Sequence, residues 1–337
     1  MRILLTGGVG FIGSHTAVAL GMAGHDVVLY DNLSNSHADV VAQIATITGR
    51  MPVFVQADVR AVETLRSVLE AHAIEAVIHF AGLKAVGESV AKPVEYYDNN
   101  VVGTISLLNA MRNVSCKTLV FSSSATVYGE PRFLPLDEGH PLSATNPYGR
   151  CKLHIEAMLA DLALADPAWK IACLRYFNPV GAHESARIGE NPEGIPNNLV
   201  PYIARVAGGM LPEVQVFGDD YPTPDGTGMR DYIHVVDLAE GHMAALDFLR
   251  THSGWHAINL GTGEGYSVLE VIRAFAAASG REIPHRVVPR RPGDVAACYA
   301  NPEKARRELG WSARRSLADM CLSAWRFQER RKTNPTG

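Results

Sequence analysis

No stretch of this chain reaches the eighteen or so consecutive apolar residues that a membrane-spanning helix needs. The opening Met1–Thr6 is too short an apolar run for a signal peptide, and glycines interrupt it at once. Together these absences predict a cytoplasmic protein with no membrane contact. Cysteine is sparse and unpaired: Cys116, Cys151, Cys173, Cys298 and Cys321 are odd in number and widely spaced. No C-x-x-C pair suggests zinc or redox work, so reduced thiols and no metal are expected. Strong charge of one sign is missing too. A net charge of -4 provides no basic footprint for nucleic acid. Internal repeats, low-complexity tracts and linkers are also lacking.

What is present is ordinary globular composition. Hydrophobic residues at 47% and charged residues at 20% rule out a disordered or collagen-like chain. The 337 residues suffice for one large α/β domain plus a smaller lobe, or for two modest domains. Short apolar runs at residues 2–6, 26–30, 52–56, 76–80 and 118–121 alternate with helical spacing, as over 12–23. Strands alternating with helices imply right-handed crossovers and a parallel sheet covered on both faces. The fold expected is an α/β, Rossmann-type doubly wound sheet over residues 1–180. After about 180 the pattern turns irregular and richer in Pro and Gly. Residues 181–337 therefore read mainly as a smaller substrate lobe at the carboxyl edge of the sheet, with some return to the first domain.

Two motifs carry chemistry. Gly7-x-x-Gly10-x-x-Gly13 follows the first strand and opens a helix, whose free N–H groups suit a pyrophosphate. Asp31 ends the second apolar run, 18 residues beyond Gly13. An acid there accepts bonds from ribose hydroxyls and repels a 2′-phosphate, so NAD is favoured over NADP. The second motif is Tyr148-x-x-x-Lys152. Tyr and Lys four apart on a helix share a face. A nearby ammonium, helped by a cationic nicotinamide ring, is expected to lower the phenol by roughly 3 pH units, about 4 kcal/mol. The run Ser122-Ser123-Ser124 places a hydroxyl at the same carboxyl edge; taken alone, two of the three would read as loop polarity.

The glycine fingerprint, Ser124 and Tyr148-x-x-x-Lys152 resemble the extended short-chain dehydrogenase/reductase superfamily. Longer segments resemble bacterial UDP-galactose 4-epimerases: HFAGLKAVGES at 79–89, YYDNN at 96–100, FSSSATVYG at 121–129, LRYFNPVGAH at 174–183, GIPNNL at 194–199 and RDYIH at 230–234. The resemblance runs from Met1 to about Trp325; the last dozen residues carry no signal. It implies roles for each matching position. Tyr148 would take the sugar 4-hydroxyl proton, Ser124 would hydrogen-bond the same hydroxyl, and Lys152 would bind the nicotinamide ribose. Gly7, Gly10, Phe11, Ile12, Gly13, Asp31, Asn32, Asp58, Val59, Phe80, Ala81, Gly82, Lys84 and Asn99 would line NAD, with Asp58 at the adenine amino group. Tyr176 and Phe177 would flank the nicotinamide. Asn178, Asn197, Asn198, Leu199, Gln215, Phe217, Arg230, Tyr232, Arg291, Asp294 and Cys298 would hold the UDP-sugar, joined there by Lys84 and Phe177. Arg230 and Arg291 suit a diphosphate, because guanidinium forks match its oxygens.

The implied activity is inversion of the 4-hydroxyl of a UDP-sugar through a 4-keto intermediate, by a homodimer built from helices near Val94–Met111 and Pro147–Ala163. One rival is a nucleotide-sugar 4,6-dehydratase or decarboxylase of the same superfamily. In dehydratases an Asp-Glu pair follows the active Ser or Thr; here Ala125 and Thr126 stand there. A second rival is an NAD-binding regulator without catalysis, which should lack the tyrosine or the lysine. Substrate range turns on Cys298. Counted from Arg290-Arg291-Pro292-Gly293-Asp294, it falls where epimerases restricted to unacetylated sugars carry Tyr. A small residue leaves room for an acetamido group. If residues 295–300 are extended, Tyr299 faces away and does not fill the gap.

Overall fold

The computed structural model describes residues 1–192, 194–291 and 293–333. The first 176 residues lay down six strands: β1 (Arg2–Thr6), β2 (Asp26–Asp31), β3 (Val53–Gln56), β4 (Ala76–His79), β5 (Thr118–Ser124) and β6 (Lys170–Tyr176). Between them run α1 (Phe11–Met22), α2 (Asp39–Thr48), α3 (Val62–Ala71), α4 (Val86–Ala91), α5 (Pro93–Tyr96), α6 (Gly103–Asn113) and α7 (Pro147–Ala165). The five apolar runs all became strands, shifted by a residue at some ends. Pro52 drops out of β3, having no N–H to give a ladder.

Two stretches differ from the expectation. The apolar run 118–121 continues as strand through all three serines, with Ser122, Ser123 and Ser124 opposite Leu174, Arg175 and Tyr176. Ser122 and Ser123 are buried there and not in a loop. The helix expected near Val94–Met111 is broken: α5 passes into a π-helical turn, Tyr97–Val102, before α6 begins. Such turns often mark functional positions.

Beyond β6 the chain builds short strands β7 (Asn178–Val180), β8 (Val214–Phe217), β9 (Met229–Arg230) and β10 (Tyr232–His234), with α8 (Leu199–Ala207) among them. Then α9 (Val235–Leu249) packs on α1, and β11 (Gly254–Leu260) joins the large sheet beside β6. The sheet order is β11-β6-β5-β4-β1-β2-β3, every pair parallel. The order reverses between β1 and β4, the crevice where open α/β sheets bind dinucleotides. The remaining elements are β12 (Tyr266–Ser267), α10 (Val268–Ser279), β13 (His285–Val288), β14 (Ala297–Cys298), α11 (Glu303–Leu309) and α12 (Leu317–Thr333). The region past 180 is thus less irregular than its Pro and Gly suggest. Helix α10 begins with a full capping box between Ser267 and Glu270. Val200, Ile203, Val271, Phe275 and Trp325 share one core beneath β8 and β10.

No described helix is long and apolar enough to cross a membrane.

Candidate active site

The nucleotide end begins at the turn after β1. Gly7 has a φ of +69°, and a Cβ there would lie 2.7 Å from the Ala81 nitrogen. A Cβ on Gly13 would lie 2.3 Å from the Gly7 carbonyl oxygen. Both glycines are therefore required by close backbone approach. Gly10 caps α1 without a side-chain bond, so the first N–H groups of a twelve-residue helix stay open to an anion. Phe11 and Ile12 follow in its first turn. Asp31, at the end of β2, accepts the Val9 N–H at 3.1 Å, the Leu33 N–H at 2.9 Å and the Ser36 hydroxyl at 3.0 Å. The carboxylate thereby ties the glycine turn to β2. A dinucleotide fits these residues: a cradle that side chains would fill, an open helix end and an acid beside it.

The walls of this crevice are equally built. Asn32 donates to Asp58 at 3.3 Å, and Arg60 grips the Asp58 carboxylate from Nε and NH2, both at 2.8 Å. Those bonds hold Asp58 well below the usual carboxylate range. Val59 is buried beside it. Phe80 and Ala81 donate their N–H groups to the Thr6 carbonyl, which places the Phe80–Lys84 loop over the turn. Asn100, buried in the π turn, accepts the Leu83 N–H at 2.7 Å and donates to the Leu83 carbonyl at 3.0 Å. A Cβ on Gly82 would meet the Asn100 amide oxygen at 3.1 Å. Asn99 stands next to it, half-buried.

Ser124 ends β5 and caps the following 3-10 turn, Ala125–Tyr128. Its hydroxyl accepts from the Thr126 N–H at 3.2 Å and the Thr126 hydroxyl at 3.0 Å. It also acts on the Tyr148 phenol, favouring its ionised form. Asn146 caps α7 by accepting the Gly149 N–H at 2.9 Å, and Pro147 starts the helix, so Tyr148 lies in the first turn. One turn on, buried Lys152 donates to the Ser122 carbonyl at 2.6 Å. Its ammonium lies 4.8 Å from the Phe121 ring centre and 5.8 Å from that of Tyr148. Burial pulls Lys152 down to about 8. Burial pushes the Tyr148 phenol up to about 12, with the Ser124 hydroxyl opposing it. Contrary to the expectation from the sequence, Lys152 is not among the groups that lower the phenol, and burial outweighs the Ser124 hydroxyl. A cationic ring bound beside the phenol would supply further positive charge.

The facing side comes from residues 176–298. Tyr176 is buried and its hydroxyl pairs with His242 Nε2 at 2.6 Å; Phe177 is buried in a cluster with Ala125, Val127 and Tyr128. Asn178 opens β7 opposite Tyr232 of β10, and Tyr232 is itself mostly core. Asn197 and Asn198 are exposed before α8, which Leu199 begins. Gln215 and Phe217 share one face of β8. Arg291 lies over the Phe217 ring at 4.5 Å and donates to Asp294 at 2.9 Å; Arg230 NH2 stands 4.0 Å from Asp294. Arg230 NH1 is held by the Met229 and Val295 carbonyls at 2.8 and 2.9 Å. Pro292 of this segment lies outside the described residues. Cys298 pairs with Arg230 across β14 and β9 and packs on the Phe177 cluster, whereas the Tyr299 ring lies beside Gly265.

Glu190, Asn100 and Asp231 are among the residues that went unassigned in the sequence. Glu190 accepts from Lys84 at 3.0 Å and Asn198 at 2.8 Å, so it links the β4 loop to the start of α8. No sequence signal marked it. Asn100 and Asp231 lay inside the segments YYDNN and RDYIH. Asp231 is buried and accepts the Thr262, Gly263 and Ala300 N–H groups at 2.9, 3.0 and 3.1 Å, tying β9 and β10 to two loops.

The family model described as GDP-mannose 4,6 dehydratase matches residues 4–323. The UDP-glucose 4-epimerase of Bacillus subtilis is 58% identical over 328 residues, 97% of each chain. The UDP-glucose-4-epimerase of Stenotrophomonas maltophila, solved with bound NAD and formylated UDP-arabinopyranose, superposes with a TM-score of 0.97 at 55% identity, covering 99% of each chain. That of Bifidobacterium longum, solved in complex with NAD+ and UDP, gives 0.96 at 53% identity over the full length of both.

Proposed function

The chain belongs to the UDP-glucose 4-epimerases of the extended short-chain dehydrogenase/reductase family, and we propose that Ser124, Tyr148 and Lys152 carry its reaction. It is an NAD-dependent isomerase that interconverts UDP-galactose and UDP-glucose through a 4-keto sugar. When bound, NAD supplies the hydride acceptor and then the hydride donor at carbon 4. Tyr148 takes the 4-hydroxyl proton and returns it after the sugar has turned over. Ser124 orients that hydroxyl from the end of β5, where it also favours the ionised phenol. Lys152, anchored on the Ser122 carbonyl, would hold the nicotinamide ribose. The glycine turn takes the pyrophosphate of NAD, Asp31 its ribose hydroxyls and Asp58 its adenine.

Inversion needs a ligand held firmly at one end and loosely at the other. Arg230 and Arg291 grip the diphosphate, Asp294 the uridine ribose, and Phe217 the base. Asn178, Asn197, Asn198 and Leu199 border the sugar, which swings about its diphosphate linkage. The division of labour runs near residue 180, with residues 1–180 holding NAD and 181–337 mainly the UDP-sugar. The observation that carries the reading is Tyr148, Ser124 and Lys152 gathered at the ends of β5 and α7. A dehydratase would need proton carriers after Ser124, where Ala125 and Thr126 stand.

Three finer points belong to the same proposal. Cys298 beside Phe177 leaves room at the sugar 2-position, so N-acetylated UDP-sugars are accepted as well. Exposed Val90, Val94, Val102 and Ile105, with Leu164 at the end of α7, form the apolar face of a homodimer. The protein works in the cytoplasm on small-molecule substrate, away from membrane and nucleic acid. The test is direct. Denatured purified protein should release NAD and no NADP, and the native protein should equilibrate UDP-galactose with UDP-glucose without added cofactor. Released NADP would refute the role of Asp31. Conversion only with added NAD would refute tight retention.

A further inference from the structure

Side chains at 122, 123 and 124 alternate in direction along β5. Ser122 gives its carbonyl to Lys152, and the Ser124 hydroxyl acts on the Tyr148 phenol and accepts from Thr126. Ser123 turns its hydroxyl the other way and donates to Glu156, a buried carboxylate on α7. Glu156 stands one turn beyond Lys152 and two beyond Tyr148, on the same face of the helix. Its carboxylate also takes Arg175, with Nε to Oε1 at 3.0 Å and NH2 to Oε2 at 2.6 Å. Both side chains of this pair are 2% exposed. Arg175 lies opposite Ser123 in the β5–β6 register.

The chain of bonds continues. Arg175 NH1 donates to the Tyr128 hydroxyl at 3.1 Å, Tyr128 donates to Asn259 Oδ1 at 2.6 Å, and Asn259 Nδ2 donates to the Leu136 carbonyl at 2.9 Å. Tyr128 closes the 3-10 turn that Ser124 caps. The network thus fixes the residue before Ser124 and the turn after it. It is anchored on α7, β6 and β11. Stability alone is a poor reason for such a pair, since apolar residues of similar volume often serve as well.

We propose that Glu156 and Arg175 are positioning residues of the epimerase reaction, holding Ser124 from both flanks and setting α7, with Tyr148 and Lys152, against β5. The inference rests on the reading of Ser124, Tyr148 and Lys152 as the reacting groups. Glu156 has a second consequence. The groups acting on the Lys152 charge are Cys151 on its own helix, Cys173 on β6 and Glu156. His79 of β4 also faces it, held neutral by burial, and Tyr148 lies one turn back. Burial raises both thiols, so neither is a thiolate at neutral pH. Glu156 is the carboxylate among them, with Arg175 behind it, and it favours the ammonium against burial.

The experiment measures kcat and KM for UDP-galactose on NAD-loaded enzyme from pH 6 to 10, for wild type, Ser123→Ala, Glu156→Gln and Glu156→Asp. Ser123→Ala should lower kcat about tenfold with KM nearly unchanged, because the network touches none of the diphosphate-binding residues. Glu156→Gln should move the alkaline limb of the kcat profile down by about one pH unit, and Glu156→Asp should restore most of it. Wild-type kcat and an unmoved limb in folded Ser123→Ala and Glu156→Gln would overturn the proposal. So would parallel losses in kcat and KM with the limb in place. If Glu156→Gln does not fold, Ser123→Ala and Glu156→Asp decide, since both leave Arg175 countered. Tyr148→Phe separates the two readings. An active Tyr148→Phe refutes the site itself, whereas an inactive one beside a fully active Ser123→Ala refutes only the positioning role.

Discussion

Lys152 carries a charge in a place where burial opposes it, and Tyr148 a hydroxyl whose proton burial tightens. Each is adverse alone; in the proposed reaction a cationic ring beside them would make the phenol a base. Tyr148→Phe removes the group proposed to exchange the sugar proton. Turnover should fall by at least 10²–10⁴, as for other lost acid–base groups, while UDP still binds. Lys152→Ala should also weaken NAD retention. Wild-type turnover in Tyr148→Phe would end the assignment of the base. Cys298 is read through volume. Cys298→Tyr should abolish conversion of UDP-N-acetylglucosamine to UDP-N-acetylgalactosamine and spare the unacetylated pair. A wild type that turns over only unacetylated sugars, or a variant unchanged on both, would remove Cys298 from the specificity pocket.

At the scale of elements, the start of α7 shows how sequence becomes a site. Asn146 and Pro147 fix where the helix begins, and that fixes which turn holds Tyr148. Asn146→Ala should cost about 1 kcal/mol in a urea titration and lower kcat with it. Unchanged stability would mean that packing, not the cap, sets the helix start. The glycine turn, β1, β2 and the Tyr-x-x-x-Lys face were legible because short-range rules govern them: strand alternation, helix caps and four-residue spacing. The serines of β5 were legible as an address but not as strand, since only a carboxylate 33 residues away makes a buried Ser123 tolerable. Glu190 and Arg175 were not legible as functional residues. Their roles depend on partners brought up by the fold, Lys84 and Asn198 for one, Glu156 and Tyr128 for the other. The break at Tyr97–Val102 was missed because a π turn follows from how Asn100 bonds the Leu83 loop, not from helix propensity.

Across the whole molecule, several imidazoles are kept neutral by burial. His15 on α1 bonds the Phe11 carbonyl at 2.7 Å, and burial takes it down to about 3. His79 sits between Thr6 and Thr104 at 2.6 and 2.9 Å, also at about 3. His234 accepts the Val236 N–H at 3.1 Å as the cap of α9, and His242 meets Tyr176 and the Leu238 carbonyl; both are lowered to about 4. These four join β4, α1 and α9, the layer that carries the nucleotide crevice. In the unfolded chain each would titrate near 6.5, so between pH 6.5 and about 4 the unfolded state binds protons that the folded state does not. Stability is therefore fully present above 6.5 and falls as pH is lowered, by about 1.4 kcal/mol per pH unit for each imidazole. Asp231 works the other way, because burial raises it, but it is one group against four. The urea midpoint of the NAD-loaded protein should drop steeply between pH 7 and pH 5. Replacing His79 by Asn should flatten the slope by one proton. A midpoint that stays level across that range would mean that the imidazoles take up protons in the folded protein, and that the packing of α1 and α9 on the sheet tolerates charge.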